Sequence, residues 1–258
     1  MDIIDAAGGG GYDRVVNRPG RGEVLELLGR IGRSPLGEQL ILGGSSGVYG
    51  VSTTVPALTE DVDLLVDADW LAGHQDEVLA QMRQLGFVHQ PGTPTFLAAG
   101  GLSVDLVGYS RRDHVDRIGG GTLLPVMVYS DLSTLLAYQG WWQELSGGGR
   151  ALSPAALTAA KLLTVRLEKG SKDKLQALLV IEERRDDEEF LSDLRSVLRA
   201  FTADRLDDAL ADAQAACLAI GGDVALAGAQ AAGYAEMHQA AERGLDILQQ
   251  LALPEAAP

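Results

Sequence analysis

The sequence predicts an α+β fold: a small mixed β-sheet core flanked by helices, followed by an all-helical C-terminal domain. Two observations predict it. Up to about residue 150, short apolar runs punctuated by glycine and proline alternate with amphipathic stretches, the pattern of strands mixed with helices. From Ser153 onward only helical spacing recurs. The glycine-rich stretch 146–149 reads as a flexible break between the two parts. The expected organisation is a flexible N-terminal arm over 1–20, an α/β domain over 21–150 and a helical domain over 151–258.

Each element has its own signal. Gly8 to Gly11 and Pro19-Gly20 mark the arm. Val24, Leu27, Leu28 and Ile31 fall on one face of a helix over 22–32. The run Gln39 to Leu42 reads as a buried strand entering a turn at Gly43-Gly44. Val62 to Val66 is a second strand, with Asp61 and Asp63 set into it. A helix is expected over 74–86, stopped by Gly86. Phe87 to Leu97 holds one or two short strands, Leu102 to Val107 another, and Leu123 to Val128 a further one. Ser153-Pro154 supplies an N-cap and a first-turn proline for the first C-terminal helix. Leu175, Leu178 and Leu179 mark the next. The acidic run Asp186 to Glu189 opens a third, where negative charge suits the helix dipole. Leu206 to Cys217 and Tyr234 to Leu248 carry the last two.

Composition narrows the function classes. The chain has 21 basic and 36 acidic residues, a formal charge of −15. That balance excludes a protein that coats duplex nucleic acid with its whole surface. All four lysines, Lys161, Lys169, Lys172 and Lys174, nevertheless cluster, with Arg166 among them, so an anionic ligand is expected there. Cys217 is the only cysteine, which excludes an intrachain disulfide and a cysteine-type zinc site. No apolar run is long enough to span a membrane, and the first residues do not read as a signal peptide. A cytoplasmic location is expected.

The chemistry concentrates between Leu40 and Asp67. A strand delivers Gly43, Gly44 and Ser45 at its end, and a glycine turn lets backbone N–H groups approach a phosphate closely. Asp61 and Asp63 lie two apart on a strand, so both carboxylates share a face. Two adjacent carboxylates repel unless a cation joins them, and Mg²⁺ is held by hard oxygens from one or two carboxylates plus substrate phosphates. Asp105 lies inside the apolar strand LSVDLVG and needs a partner of its own. Three strand carboxylates suit two-metal, in-line phosphoryl chemistry.

Blander readings stand beside these. Gly43 to Gly50 is no dinucleotide turn of Gly-x-Gly type and no P-loop, for Ser45 breaks the first and no Lys-Ser/Thr completes the second. The Asp-x-Asp pair could sit at a solvated strand edge, Asp105 could be a structural acid, and the lysines could lie on a solvated helix face. Arg111, Arg112, Asp113, His114, Asp116 and Arg117 read as an exposed charged loop. Trp141-Trp142 reads as an interface anchor rather than a base-stacking pair.

Taken together, Gly-Gly-Ser, Asp61-x-Asp63 and Asp105 resemble the nucleotidyltransferase superfamily, the polymerase-beta-like fold. Thr59-Glu60-Asp61-Val62-Asp63-Leu64 and the stretch Ser153 to Leu179 are similar to its minimal bacterial branch. That branch includes toxins of type IV abortive-infection systems and tRNA-modifying toxins. The resemblance covers about residues 38–180. It implies that Gly43, Gly44 and Ser45 bind a nucleoside triphosphate, with Lys161, Arg166, Lys172 and Asp173 neutralising phosphate or orienting the nucleotide. It implies that Asp61, Asp63 and Asp105 bind Mg²⁺ or Mn²⁺ and carry catalysis. The reaction implied is transfer of a nucleoside monophosphate from an NTP to an acceptor hydroxyl, with an RNA such as a tRNA 3′ end as acceptor and an antitoxin protein as a partner. A protein or small-molecule acceptor, or a catalytically degenerate binding module, is the alternative. The sequence departs from the family pattern in a long Ser45–Asp61 spacer containing Gly47, Gly50 and Pro56, which predicts a short or broken helix after the turn. Ala57 stands where the family often has arginine.

Overall fold

The computed structural model describes residues 19–57, 59, 61–113, 115–136, 140–163, 170–201, 203–219 and 234–252. The arm through residue 18, Glu60, His114, Arg166 and Lys169 lie outside the described residues. The fold is α+β with one mixed sheet.

Helix α1 (Arg21–Gly32) buries Val24, Leu27, Leu28 and Ile31, as its spacing predicts. A single 3₁₀ turn (Pro35–Glu38) leads to the two-residue strand β1 (Ile41–Leu42). The glycine turn follows and opens into helix α2 (Val48–Val51), which has only four residues, as expected from the glycines in the spacer. Strand β2 (Asp61–Asp67) runs straight into α3 (Ala68–Gln84). The helix expected from residue 74 therefore starts six residues earlier. Asp67 caps it, accepting from the amides of Asp69 and Trp70, and a backbone kink at His74 breaks the periodicity that the sequence shows. Strands β3 (Phe87–His89), β4 (Thr95–Ala98) and β5 (Ser103–Tyr109) follow, then β6 (Arg117–Gly119), β7 (Val126–Val128) and helix α4 (Ser130–Leu136). Strands β8 (Trp142–Glu144) and β9 (Arg150–Leu152) form a hairpin. From Pro154 the described elements are helical: α5 (Pro154–Leu163), α6 (Gly170–Glu183), α7 (Glu188–Leu198), α8 (Ala203–Ala219) and α9 (Tyr234–Ala252).

The stretch 146–149 is a turn packed against α1, not a flexible break. Gly148 and Gly149 have positive φ, and Gly149 approaches the α1 backbone so closely that a Cβ on Gly32 would meet it. The β8–β9 hairpin then joins β1 in parallel and extends the sheet to the order β3-β4-β5-β2-β1-β9-β8, with β7 on β5 and β6 on β7. No helix among the described residues is long and apolar enough to cross a membrane.

Alternation along β2 and β5 divides the core. Val62, Leu64 and Val66 face one way with Val104 and Leu106, into a cluster under α1 and α3. Leu65, Val107 and Tyr109 face the other way, against α5 and the C-terminal helices. One apolar cluster thus joins the sheet to α5–α9 without a gap. Asp61, Asp63 and Asp105 lie on this second face, just ahead of the point where helices begin to cover it.

Candidate functional site

Parallel pairing of β2 with β5 sets Asp63 opposite Asp105, and Asp61 opposite Ser103. Adjacent strands lie about 4.8 Å apart, so the Asp63 and Asp105 carboxylates leave one face as neighbours. Oδ1 of Asp105 is shielded from solvent. Asp61 accepts a hydrogen bond from the Thr59 hydroxyl.

The glycine turn is fastened to the same strand. Gly43 N–H donates to Asp63 O at 3.0 Å. Asp63 N–H donates to Ser46 Oγ at 3.2 Å, and that hydroxyl donates to Gly43 O. Gly44 has φ +56°, and a Cβ there would fall on the Asp63 carboxylate. Glycine is required at this position both for the left-handed backbone and for the approach of the carboxylate. Among the described residues, the amides of Gly44, Ser45 and Ser46 donate to no backbone carbonyl.

Gly44, Ser45, Thr59 and Asp63 form one lip of a cleft. Lys161 and Asp173 form the opposite lip, and Leu65, Val107 and Leu157 lie at its floor. The sequence-predicted turn, one carboxylate of the Asp-x-Asp pair and two of the predicted nucleotide-binding residues thus meet at one cavity. Lys172 is half-buried on α6 one residue before Asp173, and Arg166 lies outside the described residues.

Two of the clustered lysines are buried. Lys161 is 4% exposed and donates to Asp173 Oδ1 at 2.9 Å and to Gln176 Oε1 at 2.7 Å. Lys174 is 2% exposed; its ammonium caps the carbonyls of Lys161 and Leu162 on α5, where Arg205 from α8 also binds Leu163 O. Burial pushes the Lys174 amine below its ordinary pKa, against the pull of Asp212 and Asp173. Gln176 is a site residue that sequence reading missed. Its Nε2 donates to Pro56 O at 2.8 Å, so it ties the long spacer to Lys161. Its spacing of three from Asp173 on a helix was the available signal.

The remaining candidates serve the scaffold. Arg111 pairs with Asp67, and Arg117 with Asp69 and Asp113, so these arginines brace the start of α3. His74, His89 and His238 bond only near neighbours, Trp70, Thr93 and Glu242. Trp141 packs against the core and Arg150 covers the Trp142 ring at 4.0 Å.

The oxygen donors fit a hard divalent cation. Among the described residues no group of three His, Cys, Asp or Glu side chains is gathered as a ready-made cage. Asp63 with Asp105 beside it offers two carboxylates, the number Mg²⁺ commonly takes when substrate phosphates complete its shell. Searched against family models and against curated proteins, the chain matches none.

Proposed function

We propose that the protein is a metal-dependent nucleotidyltransferase of the polymerase-beta-like class, moving a nucleoside monophosphate from an NTP to an acceptor hydroxyl. The observation that carries the reading is the seating of the Asp63 carboxylate against Gly44, in register with Asp105, across a cleft from Lys161 and Asp173. A phosphate gripped by the glycine turn would lie within reach of both carboxylates.

In this reading the amides of Gly44 and Ser45 and the Ser45 hydroxyl hold the triphosphate. Asp61, Asp63 and Asp105 hold Mg²⁺ or Mn²⁺, which when bound neutralises charge on the α-phosphate and the departing pyrophosphate. Asp105, one strand across from Asp63, accepts the proton of the attacking hydroxyl. Lys161, aligned by Asp173 and Gln176, faces the phosphates from the opposite lip. The resemblance to the minimal bacterial branch would make the acceptor an RNA 3′ end and provide an antitoxin partner.

The test is label transfer from each α-labelled NTP with Mg²⁺, with total bacterial RNA and protein extract as acceptors. Asp63→Ala should lower transfer by about 10³-fold or more, the size of several kcal/mol of lost charge stabilisation, while folding is retained. Transfer by Asp63→Ala at the wild-type rate would sink the assignment.

A second reading, a module that binds nucleotide without chemistry, is favoured by the internal pairing of Lys161 with Asp173. It predicts a thermal shift with NTP and Mg²⁺ but no transfer to any acceptor.

A further inference from the structure

We propose that the acceptor hydroxyl belongs to a polypeptide side chain, presented by a segment lying over the open face of strands β4 and β3. The inference rests on the nucleotidyl-transfer reading and names the acceptor class for that same site.

Strand register lays out the surface. Asp61 stands opposite Ser103, Ser103 opposite Leu97, and Leu97 opposite Val88. One pair further along, Asp63 stands opposite Asp105, and Asp105 opposite Thr95. Residues paired across strands share a face, so the first row runs from Asp61 outward to the edge strand β3 on the site side, and the second from Asp63 as far as Thr95 on β4. The C-terminal helices cover the other half of this face, over Leu65, Val107 and Tyr109. Here the first row ends in the open: Val88 is 71% exposed and Leu97 36%.

The chemistry of the rows selects the occupant. From Gln84 to Val104 there is no Asp, Glu, Lys or Arg, in a chain of charge −15. A nucleic acid laid on a protein draws most of its affinity from cations paired with phosphates, and this floor offers none. Arg111, Arg112 and Arg117 follow the Tyr109 end of β5, the end away from Ser103, where Arg111 pairs with Asp67 and Arg117 with Asp69 and Asp113. A polypeptide asks for apolar contact and neutral hydrogen-bonding groups, and the Val88–Leu97 pair with Thr95 and Ser103 supplies both. At about 4.8 Å per strand, Leu97 lies about 10 Å and Val88 about 15 Å from the Asp61 strand. An extended peptide covers that in about three or four residues at roughly 3.3 Å each, so an apolar side chain at that separation from the hydroxyl should matter.

The step balances as follows. The hydroxyl oxygen bonds to the α-phosphorus. The bond from that phosphorus to the oxygen bridging to the β-phosphate breaks, and its electron pair leaves with pyrophosphate. The hydroxyl proton passes to Asp105 and then to solvent. The product is a side-chain nucleoside-monophosphate ester.

The test incubates the full chain with Mg²⁺ and each α-labelled NTP, separately with a degenerate nonapeptide library centred on Ser, Thr or Tyr and with total bacterial tRNA. Label should enter the peptides, with enrichment of an apolar residue three or four positions from the hydroxyl. The double variant Val88→Asp/Leu97→Asp should label peptides about tenfold less or worse. If its melting curve shows that it does not fold, Val88→Thr/Leu97→Thr, which retains strand-forming side chains, carries the comparison. Label on tRNA alone overturns the inference and leaves nucleotidyl transfer standing. Peptide labelling unchanged in a folded variant also overturns it. No label on either probe removes the transfer reading and this inference together.

Discussion

Lys161 on α5 and Asp173 on α6 meet at 2.9 Å on the lip of the cleft that faces Gly44 and Asp63. Both side chains are largely out of water, 4% and 14% exposed. An ion pair in that position serves the fold and the site at once, and the two roles separate by substitution. Removing one partner of a buried pair strands the other charge and costs about 3–5 kcal/mol, whereas replacing both with apolar groups is often neutral.

Lys161→Met should therefore lower stability by about 3–5 kcal/mol, and Lys161→Met/Asp173→Leu should recover most of that loss. Transfer should stay lost in both. Chemical denaturation and label transfer measured on the same preparations check this. A double variant that regains activity with its stability would confine the pair to a structural role.

Gly44 tests the seat of the phosphate. Gly44→Ala must hold a φ of +56° and place a Cβ against the Asp63 carboxylate. The left-handed backbone alone costs about 1–2 kcal/mol, and the carboxylate has to move away from its register with Asp105. The expected outcome is a folded protein with a lower melting temperature and a rise in the apparent KM for NTP. An alanine variant with wild-type KM would remove Gly44 from the binding turn.

Much of this geometry was legible in the sequence. The strand 62–66 announces itself by its apolar run, and the two-residue spacing of Asp61 and Asp63 already puts them on one face. The alignment of Asp63 with Asp105 was not legible, because strand register is a tertiary property. β8 and β9 escaped for a related reason. Three residues each, with Gln143, Glu144 and Arg150 among them, they carry no periodicity and exist through pairing with each other and with β1. The burial of Lys161 and Lys174 was not legible either, because charge in a sequence says nothing of burial. Lys161 and Lys174 are interior since each finds oxygen acceptors, a carboxylate and an amide for one and helix-end carbonyls for the other. The start of α3 hid behind the Asp67 cap, because the kink at His74 takes residues 68–73 out of phase with the spacing of the rest of the helix.

Gln176 separates alignment of Lys161 from anchoring of the spacer. Gln176→Glu keeps an oxygen for Lys161 but loses the amide donor to Pro56 O; Gln176→Leu loses both. The leucine variant should lose about 1–3 kcal/mol, the cost of leaving buried polar partners unmade. Transfer should fall in the order wild type, glutamate, leucine, read as kcat at saturating NTP. Equal kcat in the two variants would show that Lys161 needs no alignment from this residue.

Cys217 provides a pH readout remote from the cleft. It lies buried on α8, and burial, aided by Glu242 and Asp246 on α9, pushes its thiol up to about 11. The folded protein therefore holds this proton more tightly than the unfolded chain, whose thiol titrates near its ordinary value of 9.0. The stabilisation is fully present below pH 9 and is lost as pH rises through about 11. Melting temperature should fall over that window more steeply in the wild type than in Cys217→Ala, and the two slopes should agree below pH 8. Alkylation by iodoacetamide at pH 8 should run about a hundredfold slower than for an exposed cysteine, since the thiolate is the reactive form, and denaturant should restore it. Rapid alkylation of the native protein would place Cys217 in solvent and break the α8–α9 packing on which the shift depends.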